Sequence, residues 1–125
     1  MEYRLEIEEH GSQKMIHTNL KGIMSVDARN QAAVETVRLA REQGISKIIW
    51  DIRLVKLDYT LIDSHQVVMN LPALGVTAAD SIAVIYQQDE EQHEHARTVA
   101  HNRGIFNLNY FKEISAGIGW LIARG

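Results

Sequence analysis

The chain contains no cysteine. That excludes a disulfide framework and all thiolate chemistry, nucleophilic or metal-binding. It also fits a reducing compartment, and the cytoplasm is the expected location. Proline occurs once, at Pro72, and no low-complexity stretch is present, so linkers and disordered tails are not expected. No apolar run approaches the roughly 20 residues of a membrane-spanning helix, which excludes an integral membrane protein of that kind. The opening "MEYRLEIEEHG" lacks the basic, apolar, small-residue order of a signal peptide, and none is expected. There is no basic surplus. The formal net charge is −3 with Lys and Arg scattered, which argues against a nucleic-acid surface. A glycine-rich phosphate loop is missing too, because "GIGW" at Gly117–Trp120 lacks the strand-turn-helix setting such a loop requires. No internal repeat is visible. What remains is 125 residues, read as a single domain, long enough to bury a core without metal or disulfide.

The apolar patterning is regular. "YRLEIEE" alternates with Tyr3, Leu5 and Ile7 in phase, as a half-buried strand does. "HGSQ" is a turn and "KMIHTNL" a second strand, which predicts an opening hairpin. Ser25 is placed as a helix N-cap before Val26, Ala33, Val37 and Ala40, with Gly44 as the stop. "SKIIWDI" and "SIAVIYQ" are short apolar runs typical of strands buried on both faces. Between them Val67, Val68, Leu71 and Leu74 form a helical stripe ending near Pro72 and Gly75. Asp89 is placed to cap a helix reaching about Arg103. "IFNLNYF" is the last strand, and Phe111, Ile114, Ile118 and Leu121 mark the final helix. The predicted class is α/β, a mixed five-stranded sheet with about four helices in the order β-β-α-β-α-β-α-β-α. Ile49, Val84 and Leu108 are expected core residues. In such sheets ligands bind beyond the carboxyl ends of the strands, which here carry Asp51 and Arg53, Gln87 and Gln88, and Asn109 and Tyr110.

The stretch "KIIWDIRLVKLDYTLIDSHQVVMNL" resembles the STAS domain of anti-sigma-factor antagonists, the SpoIIAA-like fold. In that family an apolar strand ending in Asp is followed by an Ile-Asp-Ser-Ser-Gly-like segment that opens a helix. Here Asp51 stands at the strand end and "LIDSH" opens the helix. From Ser46 to Arg124 the chain is also similar to bacterial STAS-like proteins marked by Asp51-Ile52-Arg53, Arg103-Gly104 and Trp120-Leu121. Two features depart from the STAS pattern. The loop "LVKLDYT" is longer, and His65 and Gln66 stand where the family has its second Ser and its Gly. The resemblance implies a regulatory module that docks a protein partner through the second helix, with no cofactor. In classical antagonists one serine of the motif is phosphorylated by a partner kinase, and Ser64 matches the first serine by position.

The residues themselves allow two readings of this segment. Thr60 and Asp63 have the spacing of a capping box, which makes Ser64 an ordinary first-turn residue. A phosphate at that place would also gain from the positive end of the helix dipole, which makes Ser64 a candidate switch whose hydroxyl reaches solvent. Asp51 and Arg53, two apart on a strand, share a face and are candidate ligand groups for a crevice at the strand ends. That crevice would take a small molecule or lipid, the alternative to a protein partner. A shallow apolar pocket under the last two helices would serve the same end, and a homodimer is compatible with the pattern. A third reading is an enzyme built on Asp51, Arg53, Asp63 and Ser64. His65 adjoins Ser64, but adjacent helical residues point about 100° apart, so they make no nucleophile pair. The six histidines include no H-x-x-x-H or H-E-x-x-H pattern, so no metal site is expected. "DEEQHEHAR" is read as a solvated helix, and His17 as a histidine satisfied within a strand.

Overall fold

The structure, a computed structural model, describes residues 1–124. Its elements are β1 (Glu2–His10), β2 (Gln13–Met24), α1 (Val26–Gln43), β3 (Lys47–Leu57), α2 (Leu61–Met69), β4 (Ser81–Tyr86), α3 (Glu90–Asn102), β5 (Leu108–Phe111) and α4 (Ile114–Ala123). A 3-10 turn at Pro72–Leu74 follows α2. The strands lie side by side in chain order, with β1 antiparallel to β2 and the remaining pairs parallel. This is the order the apolar pattern predicts.

Local chemistry explains the boundaries. Gly11 takes φ 67° in the two-residue turn between His10 and Gln13, where a side chain would be strained. Ser25 caps α1 by accepting the Ala28 N–H at 3.2 Å, and Gly44 ends the helix in the left-handed region. The crossover helices α1, α2 and α3 all pack on one sheet face. There Ala33, Val68, Ala96 and Val99 meet Ile48, Trp50, Ile52 and Val84. The opposite face is covered by α4 alone, with Leu121 against Met15, Ile49, Ala83 and Ile85. Ile49, Val84 and Leu108 are all buried, as expected.

Three boundaries differ from the expectation. Asp51 does not end its strand. The parallel pairing of β2 with β3 runs from Ile16–Ile48 to Asn19–Asp51 and resumes at Lys21–Leu54, so β3 carries an extra residue. This bulge moves the inward positions from Ile48, Trp50 and Ile52 to Val55 and Leu57, and the strand continues. Asp89 does not cap α3 with its side chain. It sits in the left-handed region at φ 57°, and its carboxylate accepts the Leu57 N–H at 2.8 Å, closing the end of β3 instead. Phe111 belongs to β5, and the last helix starts at Ile114.

The approach of α4 to the sheet depends on Gly117. A Cβ there would lie 2.5 Å from Ile85 Cδ1 and 3.4 Å from Ala83 Cβ, whereas one at Gly119 meets nothing within 4 Å. Alanine favours a helix over glycine by about 1 kcal/mol, so Gly119→Ala should raise the denaturant midpoint. Gly117→Ala gains the same propensity but overpacks a buried contact, at a cost of about 1–3 kcal/mol, and should lower it. Denaturant unfolding of the two variants checks the opposite signs.

Candidate functional site

Asp51 and Arg53 are brought together, on the face that α4 only partly covers. Asp51 is 5% exposed. Its carboxylate accepts from Arg53 Nη2 at 2.7 Å, Arg53 Nε at 2.9 Å and the Arg53 backbone N–H at 3.3 Å. It also faces His17 Nε2 at 2.9 Å, while His17 Nδ1 lies 2.9 Å from Glu8. A carboxylate can only accept, so both ring nitrogens must donate and His17 is an imidazolium. Burial alone would lower the His17 pKa, but the bonds to Asp51 and Glu8 outweigh it and raise it. Burial likewise opposes ionisation of Asp51 and Glu8. The bonds from His17 and Arg53 hold Asp51 well below the usual carboxylate range, and those from His10 and His17 lower Glu8. The expectation of a structurally satisfied His17 agrees with this chain of charges across β1, β2 and β3. Beside it lies an open cleft of about 570 Å³, bordered by Arg4, Asn19, Lys21, Arg53 and Gln87. Each of its cations already has a carboxylate: Arg4 with Glu6, Lys21 with Glu2 and Arg53 with Asp51.

Asp63, Ser64 and His65 lie on α2, across the sheet from Asp51 and Arg53. The capping box is complete: Thr60 Oγ1 accepts the Asp63 N–H at 3.2 Å, and Asp63 accepts the Thr60 N–H at 3.0 Å. Ser64 is 3% exposed and donates its hydroxyl to the Thr60 carbonyl at 3.2 Å. This corrects the expectation that the hydroxyl reaches solvent. The side chain turns inward because α3 packs on α2, with Gln92 Nε2 donating to the Tyr59 carbonyl at 2.5 Å. His65 is half-buried. The four residues of the enzyme reading therefore do not converge, since the sheet separates Asp51 and Arg53 from Asp63 and Ser64.

A second polar group, not foreseen from the sequence, lies between the sheet and α1, α2 and α3. A cavity of about 70 Å³ on this face of the sheet is lined by Arg29, Tyr59, Ser64, His93 and Tyr110 among mostly apolar neighbours. It lies under the crossover helices, not under the last two helices as expected. His93 is buried rather than solvated. Its ring sits 4.8 Å from that of Tyr86 and 6.0 Å from that of Tyr110, between centroids. Burial pushes its pKa down to about 4, so it is neutral at pH 7. Burial also raises Tyr59 to about 12 and Tyr110 further still. Arg29 carried a signal in the sequence: it falls three residues after Val26 and four before Ala33, on the apolar stripe of α1.

The two buried histidines give stability opposite pH dependences. The raised pKa of His17 contributes stability below about pH 6.5, its unfolded value, and loses it as pH rises through the folded pKa. His93 contributes above about 6.5 and loses its share as pH falls towards about 4, where the carboxylates Glu8 and Asp51 also begin to lose theirs. Stability should therefore peak near pH 6–7. His17→Gln, which takes one partner from each of two carboxylates that keep others, should cost about 1.5–3 kcal/mol at pH 6, and the gap from wild type should narrow as pH rises. Urea unfolding between pH 5 and 9 measures both.

No family model matches the chain, and no curated protein matches it by sequence. Solved structures that match it over nearly its whole length include the following two. One is an uncharacterized protein of the DUF3478 family with a SpoIIAA-like fold, from Shewanella loihica PV-4. It has a TM-score of 0.62 and 17% identity, over 95% of this chain and 93% of that one. The other is the Bacillus cell fate determinant SpoIIAA in its phosphorylated form, with a TM-score of 0.51 and 16% identity, over 92% of this chain and 96% of that one. The mixed sheet with three crossover helices on one face and a closing helix on the other is the SpoIIAA-like fold.

Proposed function

We propose that the chain is a non-enzymatic regulatory module that docks a protein partner through the outer face of α2. The observation that carries this is Ile62, which is 76% exposed on a helix that also exposes Leu61 and Met69. Single exposed apolar residues are ordinary. Here Ile62 and Met69 are seven residues apart and share one helix face, with Leu61 beside them. A patch of this kind rimmed by polar residues such as Gln66, Asp63 and His65 suits a protein contact. The likeness to SpoIIAA, a cell fate determinant with a phosphorylated form, supports regulation as the role. Asp63 fixes the start of the docking helix through the capping box, and His65 borders the patch. Ser64 lies on the opposite side of α2. As a switch it would act only after α2 loosens from the sheet, so the exposed apolar face, not the hydroxyl, is the contact surface in this reading. Asp51 and Arg53 act as structural groups of the sheet.

Ile62→Asp should leave the thermal midpoint unchanged while removing a partner that tagged wild-type chain retains on purification. Ile122→Asp, at an exposed residue of α4, should retain it. Identical partner profiles for wild type and Ile62→Asp by quantitative mass spectrometry would refute the docking surface. Ser64→Ala should cost about 1 kcal/mol, the worth of one hydrogen bond. Ser64→Asp should cost more, because it buries a carboxylate, and thermal unfolding of the two variants tests the ranking.

A further inference from the structure

Arg29 is a buried cation without a counter-ion. It is 7% exposed. Its Nη1 donates to Asn30 Oδ1 at 3.0 Å and its Nη2 to the Val67 carbonyl at 3.4 Å, two neutral acceptors for a group with five N–H donors. The charged or ionisable groups that act on it are the phenols of Tyr59 and Tyr110, with no carboxylate among the described residues. The two buried carboxylates are both paired, Asp80 with exposed Arg41 and Asp51 with half-buried Arg53, whereas the buried Arg29 has no anion among the described residues. Arg38, Arg103 and Arg124, which have no carboxylate, are exposed. Taking a charge out of water costs several kcal/mol unless an opposite charge and further hydrogen bonds offset it. A protein gains nothing from that cost unless something else supplies the anion.

The missing anion has a place to sit. Arg29 lines the 70 Å³ cavity, and it is the one charged residue that does. Tyr59, His93 and Tyr110 join it there, and none of their side chains appears in a hydrogen bond with the described residues. Thr36, Ser64 and Gln92 also line it, but each side chain is already hydrogen-bonded within the protein. The rest of the wall is apolar, including Trp50 and Val68. The site thus offers one cation and several unused neutral donors, in a wall that is otherwise mostly hydrocarbon.

We propose that this cavity binds a compact organic monoanion, a short-chain carboxylate, with Arg29 as its counter-ion and the Tyr59 and Tyr110 hydroxyls as further donors. Size and polarity set the class. A dry cavity of about 150 Å³ accepts benzene, so about half that volume accepts a chain of only a few carbons. A phosphate dianion would need donors on every side, and most of this wall is apolar. A planar guanidinium suits a carboxylate in a two-point contact. This inference stands independently of the docking surface on α2, since it rests on groups inside the fold.

The test is thermal unfolding of the full chain with acetate, butyrate and hexanoate, each against its neutral amide, and with inorganic phosphate. Butyrate should raise the wild-type Tm with the logarithm of its concentration above Kd, by about 5–10 °C at a hundredfold excess over its Kd. Butyramide and phosphate should not. Arg29→Met, which keeps the volume and removes the charge, should be at least as stable as ligand-free wild type and should lose the butyrate response. Tyr110→Phe should weaken butyrate about five- to tenfold while keeping the fold, a second reading should the arginine variant not fold. No response to any carboxylate, an equal response to the amide, or an equal response to phosphate overturns the proposal. So does a butyrate response that survives Arg29→Met.

Discussion

The carboxylate of Asp51, buried at the middle of β3, takes hydrogen bonds from three directions. One comes from the imidazolium of His17 on the neighbouring strand, one from the guanidinium of Arg53, and one from the backbone N–H of the same arginine. The last bond spans the point where β3 gains its extra residue, so the charge that ties β2 to β3 also holds the bulge. Without the bulge, Val55 and Leu57 would turn away from the helices, and every side chain beyond Ile52 would change faces. Both Leu57, which walls the cavity, and Asp89, which closes the strand by accepting the Leu57 N–H, depend on that phase.

The two sheet faces treat charge differently. On the α4 side, anion and cation alternate from Glu8 through His17 and Asp51 to Arg53, two of each sign, and the chain neutralises itself. Under the crossover helices the groups are Arg29, neutral His93 and two phenols held in their protonated forms. The first arrangement stabilises strand pairing and leaves no charge for a ligand to satisfy. The second leaves a positive charge enclosed by hydrocarbon. The larger opening lies on the self-neutralised face, so volume alone would point to the less demanding of the two sites.

Much of the fold was legible because its signals are local. Ser25, Thr60 with Asp63, and Gly44 do in the structure what their side chains or lack of one dictate, and the alternation of strands with helices fixes the parallel pairing. The misread positions depend on distant partners. Asp51 looked like a strand end because the short apolar run gives way to charged residues there and the STAS pattern ends its strand in Asp, whereas the structure carries the strand on through a one-residue bulge. Ser64 looked exposed because its burial comes from α3, which lies beyond β4 in the chain. Asp89 had the residue type of an N-cap, but its carboxylate is drawn to the free N–H of Leu57. Arg29 lay in plain view on the stripe of α1. A long cationic side chain at such a place normally reaches out to solvent, and only the packed structure shows that this one does not.

The strands lie in the sheet in the order in which they occur in the chain. Each new strand therefore adds to an edge already formed, starting from a hairpin, and no long loop must close before pairing can begin. Such a topology lets the N-terminal hairpin form first during synthesis, while each of the three parallel pairs waits for its crossover connection. The helices do not arrive evenly. Those on the crossover face come with each connection, but Met15, Ile49, Ala83 and Ile85 on the other face wait for Leu121 of α4. A chain released after β5 would present a finished sheet with one apolar face bare. For a nascent or truncated chain, the last helix marks the boundary between a covered sheet face and a bare one prone to aggregate.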